Sequence, residues 1–153
     1  MPVPSMAEMI PVLQTAIGPV ILISGIGLLL LSMTNRLGRA IDRARILSAE
    51  LPRADEAGRA RLERQLGILW ARARIIRLSI SLAAISALCA ALLVIVLFVS
   101  ALLSAGSAWL VVALFVACMG CLIAALVVFL HDINRSLAAL KLELQGAGSL
   151  TRR

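Results

Sequence analysis

Apolar positions along this chain come in two patterns, and the alternation between them predicts the fold. From Ile10 to Met33 they are nearly continuous, longer than the ~20 residues a helix needs to cross the hydrocarbon core of a bilayer. At Thr34-Asn35-Arg36 they turn periodic: Leu37, Ile41, Ala44, Leu47, Ser48 and Leu51 recur at helical spacing with arginines between them. Pro52 predicts a stop, and Asp55-Glu56 supplies the negative charge favoured in the first turn of a new helix. Leu62, Leu66, Leu69, Ala73 and Ile76 then follow a 4-3-4-3 spacing, the seam of a helix packed on one partner. The two arms are expected to zip through Ile41, Leu47 and Leu51 against Leu62, Leu66 and Leu69. Continuous apolar runs return at 78–103 and 109–130, followed by an amphipathic helix at 131–145 and a fraying tail at 146–153.

The pattern therefore predicts an all-α integral membrane protein. Three transmembrane helices (10–33, 78–103 and 109–130) are expected, with an arginine-rich helical hairpin at 34–77 between the first two. Composition agrees: 61% of the 153 residues are hydrophobic and 15% charged, outside the range of soluble domains, and the mean hydropathy is +1.03. The span lengths leave no room for a further soluble domain of usual size.

Charge gives the expected orientation. The hairpin holds eleven arginines against five acidic residues, nearly all of the chain's net charge of +7. Lys and Arg number four after the third span, none before the first and none between the second and third. The positive-inside rule then places the N-terminus outside, with hairpin and C-terminus in the cytoplasm. Basic loops beside spans are topology signals first, so the sequence pI of about 11.2 does not argue for nucleic acid.

Within span one, Gln14, Gly18, Gly25 and Ser32 make a smooth, faintly polar stripe; in span two, Ser79, Ser86 and Ser100 share one face. Such stripes either let helices approach closely or line a polar path. In span three, Ala113, Ala117, Cys121 and Ala125 form a ladder of small residues. Pro19 is expected to bend span one. Asp42 sits three residues from Arg39 and from Arg45, spacing for a local ion-pair cluster. Trp70 beside Arg72, Arg74 and Arg77 suits an interfacial anchor, and arginines near a bilayer surface attract anionic lipid at roughly 1 kcal/mol each. The candidate lipid or partner contacts are Arg36, Arg39, Arg43, Arg59, Arg61, Arg64, Arg72, Arg74 and Arg77. Eleven arginines without a lysine suit bidentate phosphate contacts, and equally an arginine-rich codon usage.

Catalysis is not expected, because inside the spans there is no Asp, Glu, Lys, Arg or His to form a site. Cys89, Cys118 and Cys121 lie in apolar runs and read as packing residues rather than disulfide or redox partners. His131 has too few ligating companions for a metal site, and no cofactor is implied.

Gln14-Thr15-Ala16-Ile17-Gly18-Pro19, Ser24-Gly25, Thr34-Asn35-Arg36-Leu37-Gly38-Arg39 and Asp42-Arg43-Ala44-Arg45 together resemble a family of small bacterial inner-membrane proteins, domain of unknown function 2721. The resemblance implies three spans and a bacterial inner membrane, and carries no activity. Two functions are expected. One is a homo-oligomer in the bilayer, in its sharpest form an ion or small-solute channel. The other is a membrane scaffold or regulator whose hairpin binds anionic lipid or a cytoplasmic protein.

Overall fold

In the computed structural model, which describes residues 6–103 and 108–150, three long α-helices run alongside one another. Helix α1 spans Met6–Glu50, α2 spans Glu56–Leu103 and α3 spans Ala108–Leu150. Each of the first two is one unbroken helix through its apolar run and its arginine-bearing arm. At 1.5 Å per residue, 45 and 48 residues give rods of about 70 Å. Helix α3 likewise continues from its apolar run through 131–145 and on to Leu150. The connection expected at 104–108 lies outside the described residues apart from Ala108, as do residues 151–153.

The arms meet where the sequence predicts a turn. Pro52 lies in a single 3-10 turn, Leu51–Arg53, and Ala54 is extended with φ −81° and ψ 142°. Asp55 caps α2: its carboxylate accepts from Gly58 N–H at 3.1 Å, and its carbonyl accepts the first helical bond from Arg59 at 2.8 Å. A Cβ at Gly58 would sit 2.6 Å from that carboxylate oxygen, so the missing side chain lets the cap close.

Helix α2 packs against both neighbours. Its buried positions are Ile76, Ser79, Ala83, Ser86, Ala90 and Leu93, a 3-4-3-4-3 sequence that makes one continuous seam. Ile26 and Met33 of α1 join Ala83 and Ala125 in the core, with Leu22, Leu30, Leu122 and Phe129 around them. Among the described side chains of α3 the buried positions are Cys118, Ala125 and Asp132, seven residues apart. The ladder expected in span three therefore contributes Ala125 alone to the core. Ala113 and Ala117 are exposed and Cys121 is half-buried, because a strict seven-residue repeat rather than a four-residue one follows the antiparallel partner.

All three helices are long and apolar enough to cross a membrane, and in their most apolar windows only 17%, 22% and 11% of the residues are buried within the bundle. Ile21, Leu28, Leu88, Ile95, Val112, Ile123 and Val127 all point outward. A surface this apolar over this length is what hydrocarbon, and not water, would cover.

Candidate functional site

Three polar ties hold α2 to α3 in constant register. Ser86 Oγ donates to the Cys118 carbonyl at 2.8 Å, and the Cys118 thiol donates back to the Ser86 carbonyl at 3.3 Å. One heptad along, Ser79 Oγ donates to the Ala125 carbonyl at 2.8 Å. A further heptad brings Arg72 Nε to 3.4 Å from an oxygen of Asp132. The steps of seven run in opposite directions on the two helices. Ser79, Ser86 and Asp132 are almost completely buried, so the two serine ties cross a dry seam, while the third is open to solvent on its Arg72 side.

Hydroxyls outside that seam behave differently. Thr15, Ser24, Thr34 and Ser81 each bond a carbonyl four residues back on their own helix. This is the cheap way to satisfy a hydroxyl in an apolar setting. Ser79 and Ser86 therefore reach across to α3 because of where they lie, not because serines need a partner helix. Ser100, assigned to the same stripe, is half-buried. On α1, Gln14, Gly18, Gly25 and Ser32 are all exposed, and a Cβ built on either glycine meets nothing within 4 Å.

Continuing the α2–α3 register sets Trp109 level with Ile95, 25 residues along α2 from Trp70. That separation is about 37 Å along the axis, between the ~30 Å of a hydrocarbon core and the ~40–45 Å that includes headgroups. Trp70 and Trp109 are 74% and 77% exposed, as an aromatic girdle at each boundary requires.

Of the nine arginines expected to contact lipid or a partner, two are engaged within the bundle. Arg36 lies over the Phe129 ring, 5.2 Å from its centroid, a contact worth about 0.5–1 kcal/mol. Arg72 makes the ion pair with Asp132, whose side chain is 3% exposed. Arg39, Arg43, Arg59, Arg61, Arg64, Arg74 and Arg77 are exposed. Asp42 pairs with neither Arg39 nor Arg45; the ion pairs among the described residues are Arg72–Asp132 and the exposed Arg59–Glu63 at 3.3 Å. Sequence reasoning missed the Arg72–Asp132 tie, although Arg72 stands one heptad before Ser79 and in the same phase.

The arms close along one side only. Leu47, Leu51, Leu62, Leu66 and Leu69 are half-buried between them, whereas Ile41, expected in the zip, is 41% exposed. It lies at the edge of an apolar groove of about 630 Å³, whose rim holds Trp70, Arg45, Arg74 and Arg77. No described residue of α3 lines it. A second apolar cavity of about 290 Å³ lies where Gly18 and Pro19 face Leu93 and Phe115.

Fold and site together define the class: an all-helical protein with three helices long and apolar enough to cross a membrane. The chain belongs to the family described as protein of unknown function (DUF2721), which matches residues 16–142. No curated protein and no solved structure matches it.

Proposed function

We propose that this is a non-catalytic protein of the bacterial inner membrane, N-terminus out and C-terminus in, whose arginine hairpin docks an acidic cytoplasmic protein and so acts as a scaffold or regulator. The observation that carries this reading is the division of polar groups. Ser79 and Ser86 are used up in ties within one protomer, while the arginines at the hairpin tip remain exposed. A path lined by span two would lose two of the three hydroxyls of its stripe to the α2–α3 seam.

Distance selects protein over lipid at the tip. Arg64, Arg61 and Arg59 lie six, nine and eleven residues beyond Trp70, about 9–16 Å farther from the headgroup plane. This is at or beyond the ~8 Å Debye length at physiological salt, so their attraction to anionic lipid is largely screened. A photoreactive residue placed at the exposed Gln65 in living cells should give a discrete adduct. Arg59→Gln, Arg61→Gln and Arg64→Gln together should abolish it without altering assembly. An adduct insensitive to these changes would refute the reading.

The homo-oligomeric reading keeps one observation of its own. Gln14, Gly25 and Ser32 are exposed on α1 with open space at Gly25, room for the close approach of a helix from a second copy, whereas Gly18 borders the cavity toward α2 and α3. A channel, in that case, is lined by span one. Native mass spectrometry of the intact protein tests it: a closed assembly of several copies that Gly25→Leu dissociates supports it, and a monomer rules it out.

A further inference from the structure

We propose that the groove between the arms is a binding site for an anionic phospholipid, with the headgroup phosphate held by Arg74 and Arg77, one turn apart on α2. This site is separate from the tip arginines and stands or falls without them. Three features select this ligand.

The first is charge. Among the described residues the lining includes Arg74 and Arg77, one turn apart on α2, with Arg45 farther toward the turn, and neither Asp nor Glu; all three arginines are exposed. Guanidinium offers a planar fork of donors that matches phosphate oxygens, and no carboxylate in the lining competes for it. The second is the apolar floor, formed by Leu37, Ala44, Leu66, Leu69 and Ala73. A free phosphate would gain nothing from that surface, whereas a lipid covers it with glycerol and the upper acyl chain. The third is depth. Trp70 lines the groove and marks one of the two levels about 37 Å apart, and Leu37 follows directly on the end of the apolar run at Met33. The groove thus opens at the plane where headgroups lie, and its membrane-ward end meets the acyl region. Arg74 and Arg77 lie on the membrane side of Trp70, unlike the arginines at the tip.

The test uses the full chain with Trp109→Phe, so that Trp70 is the sole tryptophan, in nanodiscs of phosphatidylcholine titrated with brominated phosphatidylglycerol or with phosphatidylcholine carrying the same brominated chains. Bromine quenches on contact. Brominated phosphatidylglycerol should quench Trp70 saturably and at lower mole fraction than its phosphatidylcholine counterpart. Each single substitution, Arg74→Gln or Arg77→Gln, should weaken that preference about fivefold. Replacement by lysine should retain only part of it, since the charge stays and the fork is lost, and Arg59→Gln with Arg64→Gln should leave it unchanged.

Equal quenching by the two lipids would overturn the proposal, reducing the contact to ordinary annular lipid. A preference that survives the groove substitutions would overturn it as well. A preference that falls equally with the tip substitutions would show diffuse electrostatics instead of a site. If an acidic peptide, and not phosphatidylglycerol, protects Trp70 from quenching, the groove belongs to a protein partner and the lipid assignment fails.

Discussion

Removing Arg72 should weaken the bundle more than neutralising Asp132, although both changes break the same pair. Asp132 has 3% of its side chain exposed and Arg72 has 40%. When Arg72→Gln takes away the guanidinium, a carboxylate in the seam loses the cation 3.4 Å away and cannot gain water in exchange. Breaking a fully buried pair this way costs about 3–5 kcal/mol. Here the pair is half-solvated on the arginine side, and Asp132 has a further interaction, so the expected loss is about 2 kcal/mol. Asp132→Asn keeps the shape, and the freed Arg72 can turn to water or headgroups; about 1 kcal/mol is expected. The double variant should be no less stable than Arg72→Gln alone, since the stranded charge is gone. Reversible unfolding in mixed micelles, followed by far-UV circular dichroism as the denaturing detergent is raised, measures all four proteins. Arg72→Gln within 0.5 kcal/mol of the native chain, or Asp132→Asn the more harmful of the two, would refute the reasoning.

Two other predictions use the same unfolding assay. Ser86→Leu forces extra atoms into a fully buried position and should cost about 1–3 kcal/mol beyond the lost hydrogen bond, whereas Ser81→Leu, exposed and bonded to its own helix, should change stability by less than about 0.5 kcal/mol. Asp55→Ala removes the cap of α2 and should cost about 0.5–2 kcal/mol. Its effect should appear as faster amide exchange at residues 56–60 while the seam around Ser86 keeps its protection.

The helices were legible because their signals are long and local. An apolar run of membrane length, the Pro52 stop and the negative charge of Asp55-Glu56 each need only neighbouring residues, and α1, α2 and the turn follow them. The 4-3-4-3 spacing from Leu62 to Ile76 also continues into the buried seam of α2. What was not legible depends on register between helices. Ser79 and Ser86 share a face in any helix, but whether that face meets a pore, a second copy or α3 is decided by how α3 slides along α2. The same slide pairs Arg72 with Asp132, two residues 60 positions apart in sequence. The clue was present in the phase: Arg72, Ser79 and Ser86 on one helix, and Cys118, Ala125 and Asp132 on the other, form matching heptads. Side-by-side closure of the arms is equally non-local. Periodicity predicts that Ile41 faces α2, but cannot predict that the arms splay enough to leave it on the rim of a groove.

Everything proposed for the hairpin rests on the serines of α2 facing α3 of the same protomer. Ser86 Oγ stands 3.4 Å from Cys118 Sγ, so Ser86→Cys places two sulfurs within reach of a bond after a small shift. With Cys89→Ala and Cys121→Ala to silence the other thiols, mild oxidation in the native membrane should give a disulfide between positions 86 and 118 in a chain that still migrates as a monomer. A disulfide-linked dimer, or two thiols that stay free, would contradict the account, because the serine face would then point away from its own third helix.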